Sequence, residues 1–170
     1  LPSGLDATPP GAPPRAIFIG RLASWKGLDI LLRALEQTAD VRLDVIGNGP
    51  DAPRLKTMAR ALAIADRVRW FGEYPDEDLP RRMADADFLV LPSVTSDEMY
   101  GISVLEAMAA GRAVITTALP TGVRELSVPG VTGLEVPIRD VEAMSRALET
   151  LGRDPALRER MGQAGRQRVR

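Results

Sequence analysis

The sequence contains no cysteine and no histidine. The absence of cysteine excludes disulfides and thiolate nucleophiles, and the absence of histidine excludes Ser-His-Asp triads and imidazole acid–base catalysis. Together the two absences remove most transition-metal sites. The chain also lacks an excess of either charge, since its formal net charge is −1. This balance argues against a broad surface for nucleic acid or for an anionic membrane.

Long apolar runs are also missing. No stretch reaches the roughly 20 residues that a membrane-spanning helix needs, and residues 1–14 have neither the cationic start nor the apolar run of a signal peptide. We therefore predict a soluble, cytoplasmic protein. Lysine is scarce too: 20 of the 22 cationic residues are arginine, and Lys26 and Lys56 are the only lysines. Each lysine therefore needs a specific explanation.

The chain does contain a regular alternation of short apolar runs and helical patterns. Its 170 residues are 45% hydrophobic, which is enough for one domain with a core. Strands are predicted at residues 16–20, 41–46, 68–71, 88–91, 113–117 and 133–136, and a helical pattern follows each of them. This alternation predicts an α/β fold with a doubly wound, Rossmann-like parallel sheet. Ligands of such sheets bind beyond the carboxyl ends of the strands.

The loop after the first predicted strand is GRLASWKG, residues 20–27. Gly20 allows the backbone to approach a ligand closely. Arg21 and Lys26 put two cations beside a helix N-terminus, which itself favours anions. The pattern fits a diphosphate and equally a solvated turn, so the loop alone leaves both interpretations open.

The loop after the second strand contains G-x-G-x-x-A at residues 47–52, and Glu73 follows about twenty residues later. A dinucleotide-binding interpretation is therefore available. However, the motif follows the second strand instead of the first, and Pro50 removes an amide next to where a pyrophosphate would bind. We favour a glycine-rich turn between strand and helix.

Two further loops carry candidate binding groups. The turn after the third strand contains Glu73 and Tyr74, which could line a base pocket or form an ordinary turn. The helix predicted to begin at Ile102 follows Gly101, and its first amides, at Ile102 and Ser103, could donate to an anion.

Two glutamates accompany that helix. Glu106 lies in an otherwise apolar helix and shares a face with Ile102 and Ala109. We therefore expect its carboxylate to need a hydrogen-bonding partner, such as a pair of ribose hydroxyls. Glu98 precedes Glu106 by eight residues and is expected to point at the same cleft. The alternative is one surface glutamate and one structural glutamate.

In chain order, these motifs resemble glycosyltransferase family 4, the group 1 glycosyltransferases, and specifically the C-terminal, donor-binding half of their two-domain GT-B fold. The matching segments are PSGLD at residues 2–6, GRL with KG at 20–27, VIGNGP at 45–50, the E-x7-E pair Glu98 and Glu106 with EAMAAG at 106–111, and GVTGLEVP at 130–137. Each motif alone is weak, but their common order covers nearly the whole chain.

The resemblance implies a retaining, hexosyltransferase-type enzyme that moves a sugar from a nucleotide-sugar donor to an acceptor without a metal or other cofactor. Arg21, Lys26 and Glu98 would be catalytic: the two cations hold the donor diphosphate, and Glu98 contacts the transferred sugar. Glu106 would bind the ribose hydroxyls. The other donor-binding residues implied are Gly20, Gly101, Ile102 and Ser103 near the sugar or phosphates, and Glu73 and Tyr74 near the base.

The resemblance also implies a division of the chain. Residues 1–14 would be a remnant of an interdomain linker, and residues 15–170 the donor-binding domain. The acceptor-binding N-terminal half would be missing, so we expect the isolated domain to be inactive. Any peripheral membrane association would occur only through that missing half, and no nucleic-acid partner is implied. Thr121-Gly122 replaces a Gly-Gly pair common in the family, which leaves the donor sugar open.

Two other classes of protein stay open at this point. One is the NAD-binding Rossmann domain of an oxidoreductase, which would use residues 47–52. The other is a non-catalytic nucleotide-binding domain that has kept the fold. Binding of NAD would favour the first of these classes over a glycosyltransferase domain.

Overall fold

The computed structural model describes residues 11–170, in which six strands form one parallel sheet. The strands are β1 (Arg15–Ile19), β2 (Arg42–Ile46), β3 (Val68–Gly72), β4 (Phe88–Leu91), β5 (Ala113–Thr117) and β6 (Gly133–Val136). Their order across the sheet is β3-β2-β1-β4-β5-β6. The predicted α/β doubly wound sheet is therefore confirmed. The predicted linker motif at residues 2–6 lies outside the described residues.

The α-helices in this part of the chain run between the strands and after the last of them. They are α1 (Leu28–Glu36), α2 (Ala52–Ala61), α3 (Leu79–Asp85), α4 (Ile102–Ala109), α5 (Val123–Leu126), α6 (Val141–Arg153) and α7 (Pro155–Arg168). The Asp154 carboxylate caps α7 by accepting from the Leu157 amide at 2.9 Å. Within residues 11–170, no helix is both long enough and apolar enough to cross a bilayer.

Helices cover both faces of the sheet because successive strand residues point to opposite sides. Phe18 packs into the core that includes Leu32 of α1 and Leu148 of α6. Its neighbour Ile17 packs into a second core with Val104 of α4. Both strand residues are buried almost completely. The continuous apolar runs of the predicted strands follow from this two-sided burial.

The strand order reverses between β1 and β4. The chain builds β1, β2 and β3 outward in one direction, and then returns to place β4 on the other side of β1. The loops that leave β1 and β4 therefore diverge, and a crevice opens beyond their carboxyl ends. This crevice is where the candidate residues of the sequence are expected to meet.

Candidate functional site

A cavity of about 640 Å³ lies beyond the carboxyl ends of β1 and β4. Gly20 and Lys26 line it from the loop after β1, and Glu98 and Glu106 line it from the segment after β4. The predicted anion-binding helix start, residues 101–103, lines it as well. The structure therefore brings most of the predicted site residues into one cavity. A neighbouring recess of about 340 Å³ shares Gly20 with this cavity.

Lys26 is held in place by the backbone around it. Gly27 has a φ of +70°, and a Cβ atom there would lie 2.0 Å from the carbonyl oxygen of Pro92. The neighbouring Trp25 carbonyl accepts from the amide of Val94 at 2.9 Å. The loop after β1 is thus docked on the segment after β4. As a result the Lys26 ammonium lies across the end of β1, 4.5 Å from the centre of the Trp25 ring.

Glu98 is buried against two donors in the same cavity. Its Oε2 accepts from the Lys26 ammonium at 2.5 Å and from the Ser93 hydroxyl at 2.8 Å. The carbonyl of Ser93 in turn accepts from the Thr117 hydroxyl at 2.6 Å. This network joins the ends of β4 and β5 to the loop after β1. Lys26 and Glu98 line one cavity, and their side chains form an ion pair.

The sequence reasoning missed Ser93 and Thr117. Ser93 is fully buried and lies two residues after the end of β4, and Thr117 is the last residue of β5. Both therefore stand at carboxyl ends of strands, the positions that the fold class marks as functional. A small polar residue at the carboxyl end of a strand was the sequence feature that could have identified them.

Glu106 lies in a different environment from the one expected. The sequence suggested a carboxylate buried on an apolar helix face, but that face is the open one: Ile102 is 68% exposed, and Ala109 is exposed too. Within the described residues, no hydrogen bond reaches the Glu106 carboxylate. Partial burial raises the pKa of this carboxyl above its ordinary value, and the nearby Asp76 carboxylate raises it further. The buried side of α4 instead carries Val104, Ala107 and Met108.

The first amides of α4 are available at the cavity. The Gly101 carbonyl accepts from the amides of Val104 and Leu105. In the part of the chain that the structure describes, the amides of Ile102 and Ser103 have no such partner. These two N–H groups lie at the positive end of the helix and can donate to an anion.

Arg21 is exposed and is not part of the cavity wall, although its neighbour Gly20 is. Its guanidinium makes no hydrogen bond or ion pair with any residue in the range 11–170. Its guanidinium therefore remains available to an anion at the mouth of the cavity. The sequence placed both cations at one site, and the structure puts Lys26 in the cavity wall and leaves Arg21 outside it.

Glu73 and Tyr74 line the neighbouring recess together with Gly47. The Tyr74 hydroxyl accepts from Nε of Arg82 at 2.9 Å. The Arg82 guanidinium also lies 4.8 Å from the centre of the Phe71 ring. Arg82 thus holds the turn after β3 in place. The sequence did not indicate this role, because Arg81 and Arg82 are adjacent in α3 and nothing local distinguishes them.

The two glycines of the G-x-G-x-x-A segment are explained by close packing of two loops. A Cβ atom on Gly47 would lie 1.8 Å from the Gly20 carbonyl oxygen, and one on Gly49 would lie 2.4 Å from that of Leu22. The Leu22 amide also donates to the Asn48 carbonyl at 2.9 Å. These contacts account for both glycines without a dinucleotide and support the interpretation of the segment as a structural turn.

Comparison with known proteins places these observations in a family. A family model described as "Glycosyl transferases group 1" matches residues 6–168. The chain is 34% identical to D-rhamnosyltransferase WbpZ of Pseudomonas aeruginosa, with 91% of this chain and 40% of the relative covered. It is 35% identical to a GDP-mannose-dependent alpha-(1-6)-phosphatidylinositol monomannoside mannosyltransferase of Mycolicibacterium smegmatis, with 92% of this chain and 43% of the relative covered. The chain thus spans about two fifths of the length of these relatives.

A solved structure shares the whole fold. It is the C-terminal domain of a glycosyl transferase group 1 family protein, LpcC, from Francisella tularensis. The TM-score is 0.83 at 25% identity, and the match covers 93% of this chain and 85% of that one. The predicted fold class, the C-terminal half of a GT-B fold, is therefore confirmed.

Proposed function

The chain belongs to the group 1 glycosyltransferases, and on that premise we propose that it is the nucleotide-sugar-binding domain of a retaining, hexosyltransferase-type enzyme. Residues 15–170 would form this donor domain and residues 1–14 a linker. An N-terminal acceptor-binding domain would complete the enzyme, and the domain alone would be inactive. The coverage of about two fifths of the relatives supports this division.

The observation that carries the proposal is the meeting of a cation, free amides and two carboxylates in one cavity. Lys26 and the amides of Ile102 and Ser103 supply donors for a diphosphate. The Glu106 carboxylate, which accepts no hydrogen bond from residues 11–170, would supply an acceptor for the ribose hydroxyls, and Glu98 would supply one for the sugar. The protein donors would thus face the diphosphate of a nucleoside diphosphate sugar, and the protein acceptors would face its hydroxyl groups.

The recess beside the cavity would hold the base. Glu73, Tyr74 and Gly47 line it, and Gly20 lies between it and the main cavity. A nucleotide lying across both would place its diphosphate over Gly20, close to Lys26. Arg21, exposed at the mouth, would add a second cation to the diphosphate.

The chemistry follows from charge. When the bond between the anomeric carbon and the diphosphate oxygen breaks, the electron pair stays on the leaving diphosphate. Lys26, Arg21 and the α4 amides would stabilise that developing charge, which is commonly the largest catalytic effect of such groups. We propose that these groups make a metal unnecessary. The acceptor hydroxyl oxygen would bond to the anomeric carbon on the same face of the sugar, and its proton would pass to the oxygen of the leaving diphosphate.

The alternatives are less well supported. An NAD-binding oxidoreductase domain would need residues 47–52 for the cofactor, and both of their glycines are explained by loop packing. A non-catalytic domain would bind the same nucleotides, and only turnover by the complete enzyme separates it from a catalytic one. The cytoplasmic location and the route of any membrane association stay predictions.

A thermal-shift panel of UDP, GDP, ADP and NAD tests the proposal. GDP deserves the first place because one relative is named as GDP-mannose-dependent. We expect one nucleoside diphosphate to raise the melting temperature, and Lys26→Ala and Glu106→Ala to abolish or reduce that shift. Lys56→Ala is the matched control, since Lys56 is exposed on α2. A shift with NAD alone, or one that persists in both site variants, would contradict the proposal.

A further inference from the structure

The Lys26 ammonium, which a diphosphate would bind, is already paired with the Glu98 carboxylate. The two side chains are only 12% and 9% exposed, and the Nζ–Oε2 distance is 2.5 Å. The Ser93 hydroxyl holds the same Oε2 from the buried side. A phosphate oxygen that binds Lys26 must therefore share the ammonium with a carboxylate that is fixed in place, and the two anions repel each other.

The other oxygen of Glu98 offers a way to offset that repulsion. Oε1 accepts no hydrogen bond from residues 11–170, and Glu98 lines the cavity. It is thus able to accept hydroxyl donors from a ligand on the cavity side. A sugar attached to the diphosphate carries such hydroxyls, whereas a free nucleoside diphosphate has none at that end.

We propose that this ion pair makes the cavity favour the intact nucleotide sugar over the free nucleoside diphosphate. The inference rests on the proposed function. The intact donor gives an anion to Lys26 and hydroxyls to Glu98, so both partners of the pair are satisfied. The free nucleoside diphosphate competes with Glu98 for Lys26 and donates no hydrogen bond to the Glu98 carboxylate. Its weaker binding would promote its release after transfer.

The test is direct titration of the wild-type chain and Glu98→Gln with a nucleoside diphosphate and with its sugar derivative. Glutamine keeps the size and an acceptor oxygen but removes the charge that competes for Lys26. We expect Glu98→Gln to bind the free diphosphate at least ~10-fold more tightly, which corresponds to ~1.4 kcal/mol. The affinity for the nucleotide sugar should increase less, so the preference for the intact donor should be smaller in Glu98→Gln than in the wild type.

Two further variants separate the ion pair from general electrostatics. In a Lys26→Met background, Glu98→Gln should not increase the affinity for the free diphosphate, because the ammonium for which the two anions compete is absent. Asp97→Asn makes the same change of charge in the same cavity wall, but Asp97 is bonded to the Thr95 hydroxyl at 2.6 Å instead of to Lys26. It should therefore change the affinity much less. Inorganic pyrophosphate serves as a probe that lacks both base and sugar and should follow the free diphosphate.

The possible failures are distinguishable. If no nucleoside diphosphate binds the wild-type chain, the proposed function is wrong, and the inference is wrong with it. If one binds through Lys26, but Glu98→Gln weakens or does not change its affinity, only the inference is wrong. An equal gain in Asp97→Asn would also overturn it. Should Glu98→Gln fail to fold, Glu98→Asp withdraws the charge from Lys26 by one methylene and should give a smaller gain in the same direction.

Discussion

The two glutamates of the cavity lie eight residues apart and in opposite environments. Glu98 is buried and bonded to Lys26 and Ser93. Glu106 is exposed on α4, its carboxylate accepts no hydrogen bond from residues 11–170, and partial burial and Asp76 raise its pKa. One carboxylate is therefore fixed by two protein donors at one of its oxygens, and the other is held by no donor from residues 11–170.

The contrast comes from the elements that carry them. The segment with Glu98 is tied to the β5–α5 loop, because the Gly122 amide donates to the Met99 carbonyl at 3.0 Å. Glu106 stands on the side of α4 that faces away from the sheet. The buried wall is thus held by many tertiary contacts, whereas the open face of α4 is held by helix geometry alone. Substitutions should therefore be costly in the first region and mild in the second.

The largest effect is expected from Gly27→Ala. The new Cβ would collide with the backbone carbonyl of Pro92, and the residue already has a φ of +70°. We expect the free energy of unfolding to fall by about 3 kcal/mol, and the affinity for a nucleoside diphosphate to fall with it because Lys26 shifts. Urea unfolding and ligand titration measure the two losses.

Gly130→Ala is the control for backbone strain without collision. Gly130 has a φ of +77° and nothing within 4 Å of a Cβ atom. It should cost only the penalty of the left-handed conformation, ~1–2 kcal/mol. Equal losses in the two variants would show that docking on Pro92 does not stabilise the buried wall.

A smaller effect is expected from Ser93→Ala. It removes one of the two donors to the buried Glu98 carboxylate, so we expect a loss of about 1–2 kcal/mol in unfolding free energy. Ile102→Ala on the open face should change it by less than about 0.5 kcal/mol, since Ile102 is 68% exposed. Urea unfolding measures both losses. A larger loss of unfolding free energy in Ile102→Ala than in Ser93→Ala would contradict the contrast between the two regions.

The smallest effect concerns the protonation of Glu106. Because its pKa is raised in the folded state, that state holds the proton more tightly than the unfolded state does. The contribution to stability is full below the ordinary value of 4.5 and is lost as the pH rises through the raised pKa. Glu106→Gln should therefore be slightly more stable than wild type at neutral pH, and the difference should vanish in acid.

Carboxyl NMR titration checks the cause directly. The Glu106 carboxyl should titrate above its ordinary value in the wild type. Asp76→Asn should bring the pKa of that carboxyl part of the way down, because burial, the larger cause, remains. A wild-type Glu106 that titrates at or below the ordinary value would show that the open face does not desolvate it.

Much of the fold was predictable, because each element depends on local patterns. β4, β5 and β6 have the predicted bounds, and α4 begins at Ile102 as predicted. Strand apolarity, helical spacing and capping residues act within a few positions along the chain. The other three strands, β1, β2 and β3, differ from the predicted bounds by one residue at one or both ends, where fraying and loop contacts compete with local preference.

The site was predicted less completely. Its location followed from the strand ends, and Lys26, Glu98 and Glu106 do line one cavity. The pairing of Lys26 with Glu98 depends on two loops separated by 72 positions, and no local pattern reports such a contact. The exposure of Glu106 was predicted wrongly for a related reason, since an apolar helix does not reveal which of its sides meets the sheet.

Local sequence was thus sufficient for the elements, the parallel sheet and the family, because strand and helix periodicity and short ordered motifs are properties of neighbouring residues. The scarcity of lysine drew attention to Lys26 and Lys56 alike, and the position of Lys26 after the first strand distinguished them. The structure places Lys26 in the cavity wall and Lys56 on the exposed surface of α2. Long-range packing alone set the roles of the two glutamates. Burial and charge partners arise only when distant segments meet, and they made Glu98 an anchored carboxylate and Glu106 a free one.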